Sequence, residues 1–285
     1  MNSPDLPEIN YKSFSATRDS IQLYAQLLSK IKSKFLPHQK NWEEFSLNTS
    51  ANGFTTGALP VATLKGIEAL EIKINLFEHM LKLSFGKNSD EINLHQNNIT
   101  SFTGLLTDKL AGYGIKNINP EKNFYTEDKL VYNDNDAIKL FEMFRYIYFM
   151  LLDLRGKTLL ETGNVNFWPH HFDTALLVFS GRLINGRNKL NWDDSREQMN
   201  FGFSSGDATI GQPYFYITSY PLNKKLLDYD IPVYAFRQKE NWNGIVITYS
   251  EMLKMQNPAN SLINFMLNML NANFKITEGN SYGIE

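Results

Sequence analysis

The segment Leu70-Glu-Ile-Lys-Ile-Asn-Leu76 gives the clearest indication of fold class in this chain. Its aliphatic residues alternate with the polar residues Glu71, Lys73 and Asn75. Because successive side chains of a strand point to opposite faces, this alternation predicts a strand with one buried face and one solvated face. Such strands are typical of antiparallel sheets. The pattern returns in residues 81–85, so a second strand is expected after a turn.

Helices and further strands flank this pair, and their order is the same in both halves of the chain. Apolar residues at spacings of three and four predict helices at about 17–35, 98–110 and 134–154 and from Pro258 onward, with Asp134 or Asn135 as the cap of the third. Extended segments are expected at 42–50, 70–76, 81–85 and 91–95, and again at 171–180, 197–204, 214–220 and 245–249. Each half thus contains a helix, four strands and a helix, which predicts an internal duplication.

We therefore predict an α+β fold made of two helix–four-strand–helix halves with mainly antiparallel sheet. The N-terminal half covers residues 1–115 and a polar connection covers residues 116–135. The C-terminal half covers residues 136–285 and carries the candidate site. The sequence leaves open whether the two sheets are separate or continuous.

Composition limits the classes of function. The chain has 285 residues, of which 42% are hydrophobic and 20% charged, as in ordinary soluble globular proteins. A net charge of −2 gives no basic field for nucleic acid or an anionic membrane, so neither is expected as a partner. The absence of cysteine excludes disulfides and thiolate chemistry. No secretory signal or membrane-spanning segment is recognised, so a cytoplasmic location is expected, while the oligomeric state stays unknown.

Two adjacent histidines, His170 and His171, stand at the beginning of an apolar expected strand of the second half, residues 171–180. His171 and Asp173 should project from the same face at the beginning of this strand. A neighbouring carboxylate fixes the tautomer of an imidazole and raises its basicity, so His171 and Asp173 are the candidate catalytic residues. The alternative is a structural pair that stabilises the strand entrance.

Two more clusters in the second half supply candidates for ligand binding. The turn Ser204-Ser-Gly-Asp207 offers exposed hydroxyls and backbone amides for a phosphate or carboxylate, or is only a polar turn. Tyr214 and Tyr216 should share one strand face opposite Phe215, and they either line a pocket or form a half-exposed sheet face. The candidate ligand-binding residues are Trp168, His170, Arg182 as an anion anchor, Asn200, Ser204, Ser205, Asp207, Tyr214 and Tyr216.

Neither a reaction nor a cofactor follows from these residues. The His-Glu-x-x-His motif, the P-loop and the dinucleotide-binding glycine pattern are all missing from the sequence. No residue is assigned as a metal ligand, and the cofactor stays unknown.

Several segments, taken in order, resemble an uncharacterised bacterial family known as domain of unknown function 5996. The matching segments of the second half are 167–173, 179–182, 200–207, 213–216 and 220–221. Residues 23–31, Trp42 and residues 51–57 are similar to the opening helix and first strand of the family. The resemblance covers the chain from about Ser20 to Pro221 and implies no activity, cofactor or catalytic residue.

The leading hypothesis from the sequence is a cytoplasmic small-molecule-binding protein with a His, Asp, Ser and Tyr pocket in the C-terminal half. Whether it is also an enzyme is left open. The alternative is a non-catalytic protein-interaction module in which the His–Asp pair is structural. A deep pocket that holds both His171 and Asp207 would favour the first hypothesis, and a flat aromatic patch would favour the second.

Overall fold

A computed structural model describes residues 6–116, 118–222, 226 and 228–274 of the chain. These residues form two compact units. The first unit comprises Pro7–Arg145 and Asn166–Asp173, and the second includes Tyr146–Val165 and the described residues from Thr174 onward. Both contain helices and antiparallel strand pairs, so the predicted α+β class with mainly antiparallel sheet is confirmed.

The helices and strands are numbered in chain order. The helices are α1 (Tyr11–Phe35), α2 (Ile99–Gly112), α3 (Asp134–Lys157), α4 (Trp192–Ser195), α5 (Tyr249–Met252) and α6 (Pro258–Phe274). Two 3-10 segments cover Lys40–Phe45 and Lys122–Phe124. The strands are β1 (Asn48–Ser50), β2 (Gly53–Thr55), β3 (Leu59–Thr63), β4 (Gly66–Asn75), β5 (Met80–Phe85), β6 (Asn88–Asn93), β7 (Glu161–Thr162), β8 (Asn166–Trp168), β9 (Asp173–Leu183), β10 (Arg196–Ser204), β11 (Tyr214–Tyr220), β12 (Phe236–Gln238) and β13 (Gly244–Thr248).

The sheet of the first unit has the strand order β1-β2-β4-β5-β6, and β3 pairs with β4 off this path. Its inner face is the row of aliphatic residues that the sequence pattern predicts. Leu70, Ile72 and Ile74 of β4 lie directly opposite Phe85, Leu83 and Leu81 of β5, and all six are buried. Helix α1 packs against β3 and β4, and α2 packs against β6. Burial of this aliphatic row removes apolar surface from water and so holds the sheet to its helices.

The sheet of the second unit has the order β12-β13-β11-β10-β9-β7 along its path. In the centre, Phe203 of β10 pairs with Phe215 of β11, which pairs with Ile247 of β13. All three side chains are fully buried and share one face. Met199 of β10 lies on the same face, and the amide nitrogen Nδ2 of Asn273 in α6 lies 3.0 Å from its sulfur. The inner face of this sheet is therefore aromatic and aliphatic, with α6 against it.

The helix ends differ from the predicted ones at two caps. Helix α1 begins at Tyr11, six residues earlier than expected, because the side chain of Asn10 accepts the Lys12 N–H at 3.2 Å. Helix α3 is capped by Asn133, whose Oδ1 accepts the Asp136 N–H at 3.1 Å, so the predicted cap at Asp134 or Asn135 was wrong. Asn side chains compete well for free backbone N–H groups at a helix start, which explains both positions.

The strand predicted at 42–50 was wrong over most of its length. Asn41 and Trp42 take left-handed backbone angles, with φ of 57° and 60°, inside the 3-10 segment Lys40–Phe45. An extended strand cannot contain such angles, and β1 therefore starts only at Asn48. Strands β2 and β3 follow it, so the first half has more strands than the predicted four. The internal duplication stays a prediction.

Candidate functional site

The two adjacent histidines lie in a turn and not on a strand. Residues 169–172 form this turn, and Phe172 has a φ of 52°, so the regular alternation of faces begins only at Asp173, the first residue of β9. The prediction that His171 sits on the strand beside Asp173 was therefore wrong. His170 and His171 are exposed, with ring centroids 5.0 Å apart, whereas Asp173 is buried.

Contacts within the first unit hold the turn in place. The amide of Gln22 in α1 donates to the carbonyl oxygens of Pro169 and His170, at 3.3 and 3.1 Å. Phe172 is buried against Phe144 and Phe167, with ring centroids 5.6 and 5.2 Å away. The backbone of the turn is thus anchored while its imidazoles face solvent. Trp168, another predicted ligand-binding residue, is half-buried at the end of β8.

Arg182, the predicted anion anchor, lies near the end of β9 and is already occupied. Its Nε donates to Oε2 of Glu197 at 2.6 Å, and its Nη1 donates to the carbonyl of Phe274 at 3.2 Å. Ser180 donates a further hydrogen bond of 2.5 Å to the same Glu197 oxygen. Because a carboxylate neutralises its charge, Arg182 has less to offer an anionic ligand than a free guanidinium would.

Tyr214 and Tyr216 of β11 belong to an aromatic group of the second unit. Tyr214 and Tyr216 lie on the face opposite the fully buried Phe215, as predicted. Trp242, from the segment between β12 and β13, joins them. Each of the three ring centroids lies 6.2 Å from the other two, with Trp242 nearly parallel to Tyr214 and steeply inclined to Tyr216. We call Tyr214, Tyr216 and Trp242 the aromatic face.

Two glycines let these rings lie against the backbone of the sheet. Gly202 of β10 is paired with Tyr216, and a Cβ at this position would lie 2.3 Å from Cζ of the Tyr216 ring. A Cβ at Gly244 of β13 would lie 2.5 Å from the backbone oxygen of Ile217 and 2.7 Å from Cζ3 of Trp242. Glycine in a strand interior weakens the strand and often marks a close approach of another group, here an aromatic ring.

Asp207 fixes one end of the aromatic face. Its Oδ1 accepts the N–H groups of Thr209 and Ile210 at 2.7 and 2.8 Å, and its Oδ2 accepts the hydroxyl of Tyr214 at 2.5 Å. The carboxylate therefore orders the loop between β10 and β11 and orients the Tyr214 phenol. With three donors already bound to it, Asp207 acts here as a positioning group.

The serines before this loop are not exposed, contrary to expectation. Ser204 and Ser205 are 4% and 0% exposed, and the Ser204 hydroxyl accepts the Gly206 N–H at 3.2 Å. The reason is local: Ser204 is the last residue of β10, and serine side chains readily bond the backbone two residues on.

One motif was overlooked in the sequence. The Gly-x-Ser-x-Gly pattern of serine hydrolases is matched by Gly202-Phe-Ser-Ser-Gly206. The pattern has chemical meaning only where the serine sits on a sharp turn from a strand into a helix, with an exposed hydroxyl. Here the serine is buried, and the loop after β10 leads into another strand, β11. The match therefore supports no nucleophile.

Asn200 is the polar residue beside the aromatic face. Its Nδ2 lies 3.5 Å from the hydroxyl of Tyr216. Its Oδ1 is buried and has no hydrogen-bond partner among the described residues. A buried acceptor without a partner costs free energy, and it is the kind of group that a ligand donor or a water satisfies.

A second cluster, unforeseen from the sequence, lies in the first unit. Nε2 of His95 lies 2.6 Å from Oδ1 of Asp134, and Nε2 of His79 lies 3.7 Å from Oδ2 of the same carboxylate. The hydroxyl of Tyr132 lies 3.1 Å from Nδ1 of His79. Burial raises the pKa of Tyr132, and the nearby charge of Asp134 adds to the increase. No local motif could have revealed the cluster, since its members are up to 55 positions apart in the chain.

Geometry limits what these groups can hold. No group of three or more His, Asp or Glu side chains in the described part of the chain is arranged to bind a metal ion. Within the same residues, no helix is both long and apolar enough to cross a bilayer.

The structure thus brings together only some of the predicted residues. Asn200, Asp207, Tyr214 and Tyr216 surround one patch of the second unit, with Ser204 paired to Tyr214 beneath it. Trp242 was missed, although a tryptophan two residues before a glycine that opens a β-branched strand was a usable signal.

Comparison with known proteins gives a family and nothing more specific. A family model described as a family of unknown function, DUF5996, matches residues 6–281, nearly the whole chain. No curated protein and no solved structure matches the chain.

Proposed function

Because the chain belongs to DUF5996, a family without an assigned function, we propose a function from the geometry of the second unit alone. The protein binds a small molecule, and the ligand lies on the aromatic face. The observation that carries the proposal is the grouping of three rings at equal centroid distances of 6.2 Å on one sheet face.

Gly202 makes the aromatic face costly for folding alone. It forgoes a side chain in the interior of β10, which weakens the strand relative to a residue with a Cβ, whereas Gly244 opens β13 close to the backbone of Ile217. In return, Tyr216 and Trp242 lie close to the backbone and stay only half-buried. Half-exposed aromatic rings beside hydrogen-bonding groups are typical of ligand sites.

The charges of the candidate residues favour an uncharged ligand. Asp207 already binds three donors, and Glu197 neutralises Arg182. A ligand first meets the half-exposed rings of Tyr216 and Trp242, and it reaches the buried acceptor Oδ1 of Asn200 when the adjacent Tyr216 ring moves aside. These groups fit a flat or ring-shaped molecule that stacks on Tyr216 or Trp242 and donates one N–H or O–H group to Asn200.

A fragment screen by protein-observed NMR tests the proposal. Flat, uncharged fragments that carry a hydrogen-bond donor should shift resonances of β10, β11 and residue 242. The variants Tyr216→Ala and Trp242→Ala should each lose most of this binding, and Tyr216→Phe, which keeps the ring, should retain it. Trp42→Ala is the matched control, because Trp42 is an exposed tryptophan of the first unit.

Two outcomes overturn the proposal. One is a screen in which no fragment binds the second unit at millimolar concentration. The other is binding that survives both ring variants. Either result would favour the alternative from the sequence, a non-catalytic interaction module. The cytoplasmic location and the acid–base roles of His171 and Asp173 stay predictions.

A further inference from the structure

His95 presents both of its ring nitrogens to oxygen atoms. Its Nδ1 lies 2.8 Å from Oδ1 of Asn93, and its Nε2 lies 2.6 Å from Oδ1 of Asp134. An imidazole ring has one N–H donor when neutral and two when protonated. The arrangement therefore depends on how many protons the pair of His95 and Asp134 carries.

The identity of the Asn93 atom that faces the ring decides whether Nδ1 of His95 carries hydrogen. The same Oδ1 of Asn93 also accepts the backbone N–H of His95, at 2.7 Å. A backbone N–H can only donate, so the atom facing it must be the amide oxygen and not the amide nitrogen. Because this oxygen only accepts, Nδ1 of His95 must carry hydrogen.

A second proton is then needed between Nε2 of His95 and the carboxylate. With Nδ1 protonated, a neutral ring would direct the lone pair of Nε2 at an oxygen of Asp134, 2.6 Å away. Two acceptors at that distance repel each other. Asp134 is the first residue of α3, where the helix dipole favours the anionic carboxylate. The geometry of this contact fits a charge-assisted hydrogen bond donated by an imidazolium ring.

We propose that His95 and Asp134 form a proton-dependent latch between the β6–α2 loop and the start of α3. The latch is closed when His95 is protonated and open when it is neutral. It lies in the first unit and does not depend on the proposed ligand site.

Other titratable groups around the pair frame this latch. His79, from the turn between β4 and β5, approaches the second carboxylate oxygen at 3.7 Å. Tyr132 packs its ring 4.9 Å from that of His95, and Tyr24 of α1 contributes to the raised pKa of Tyr132. Both phenols therefore remain neutral over the range in which histidines titrate. Asp134 is the only carboxylate in contact with His95 in the described part of the chain.

Backbone hydrogen bonds hold the chain around His79 in place on one side of the latch. His79 has a left-handed φ of 57°, and its carbonyl accepts the Leu94 N–H at 3.0 Å. The Leu94 carbonyl in turn accepts the Tyr24 hydroxyl at 2.7 Å. A residue with a β-carbon holds such an angle only where its surroundings impose it. Release of His95 should therefore affect residues 95–98 and the first turn of α3, while residues 79–94 stay ordered.

NMR of the full chain tests the latch directly. Ring 15N shifts, followed from about pH 5.5 to about pH 8, should show the loss of one ring proton of His95 at the same pH at which local exchange speeds up. Hydrogen exchange in residues 95–98 and 134–137, corrected for intrinsic rates, should speed up by about threefold over the same range, as expected for an exposed charge pair.

Two variants and a control separate a latch from a general effect of pH. Asp134→Ala and His95→Gln should each remove the pH dependence of local exchange and leave the fold intact, since both side chains are about half-exposed. His171→Gln, which changes an exposed histidine in a turn, should keep the dependence unchanged. Local exchange that is the same at both pH values in the wild type overturns the proposal. So does a pH dependence that persists in Asp134→Ala.

Discussion

The outer faces of the two sheets differ in chemistry. On the first sheet, the face opposite the aliphatic row carries Glu71, Lys73 and Lys82, and Lys82 pairs with Glu91 at 3.3 Å and also with Glu78. On the second sheet, the corresponding face carries the aromatic face and the amide of Asn200.

Hydration explains the first face and not the second. Charged side chains on a sheet surface are well solvated, so the outer face of the first sheet needs nothing beyond water. Aromatic rings are more stable out of water, so the half-exposed rings of the second sheet support the proposed ligand site. Two antiparallel sheets of one chain thus differ in the chemistry of their outward residues.

Truncation of aromatic side chains should give the largest contrast between the two regions. Phe54 is fully buried, stacks on Phe167 at 3.8 Å and meets Phe141 and Phe144 edge-on. Phe54→Ala should lower the free energy of unfolding by about 3–5 kcal/mol, because it leaves a cavity in a rigid cluster. Tyr216→Ala should cost less than about 1.5 kcal/mol, because its ring is half-exposed.

Urea unfolding followed by circular dichroism measures both variants. Equal losses would mean that Tyr216 is a core residue like Phe54. In that case the contrast between a packed core and a surface kept for a ligand would fail.

Glycine substitutions should give the next largest effect. A Cβ at Gly53 would lie 1.8 Å from the backbone oxygen of Ile74, which cannot move without breaking the β2–β4 pairing. Gly53→Ala should therefore cost about 3 kcal/mol. The three atoms nearest to a Cβ at Gly202 all belong to the end of the Tyr216 side chain, which can move.

Gly202→Ala should thus cost about 1 kcal/mol and displace the Tyr216 ring. Thermal unfolding ranks the two variants. Gly202→Ala should change the fluorescence of Trp242, and the same substitution combined with Tyr216→Ala should not, which assigns the change to movement of the Tyr216 ring. A larger loss for Gly202→Ala than for Gly53→Ala would reverse the expected order and show that the aromatic face is rigid.

Acid should weaken the first unit through Glu44. This carboxylate is buried, and it accepts hydrogen bonds from Nδ1 of His38 at 2.9 Å and from the Gln39 N–H at 3.0 Å. Burial alone would raise its pKa, but these hydrogen bonds outweigh burial and hold the pKa of Glu44 below its usual value. Its contribution to stability is therefore present above about pH 4.3 and is lost as pH falls through the lower folded value.

Glu44→Gln should cost about 1 kcal/mol at neutral pH, and this cost should shrink as pH falls, because the wild-type carboxyl then becomes protonated as well. Urea unfolding of both proteins across this range gives the difference. Asp207→Asn makes the same carboxylate-to-amide change at an exposed residue of the second unit, and its free energy of unfolding is measured for comparison. A Glu44→Gln difference that stays constant with pH would contradict the assignment.

The smallest effect is expected at the histidine turn. His171→Ala should change the free energy of unfolding by less than about 0.5 kcal/mol, because its side chain is exposed. Asp173→Ala should cost about 1–3 kcal/mol, because Asp173 is buried. Thermal shift measures both variants, and a large loss for His171→Ala would restore the structural pair at the strand entrance.

Residue patterns correctly predicted helices, strands and their buried faces wherever apolar burial dominates over a few neighbouring residues. The alternation in β4 and β5 and the apolar spacing of α3 specified element type and buried face, because burial of apolar surface decides both locally. The faces of Tyr214, Tyr216 and Phe215 followed from the period of two in a strand. Patterns failed at 40–45 and at Phe172, where left-handed backbone angles interrupt the alternation.

Hydrophobic periodicity in the amino-acid sequence specified the α+β class, the antiparallel sheets and the opposite faces of β11. Which polar groups meet depended on the folded chain. It joined His79, His95 and Asp134 from three separate segments, added Trp242 to the tyrosines, and left His171 exposed in its turn. The physical reason is that hydrophobic burial acts along a few neighbouring residues, whereas hydrogen bonds and ring contacts depend on distances that exist only after distant segments have packed.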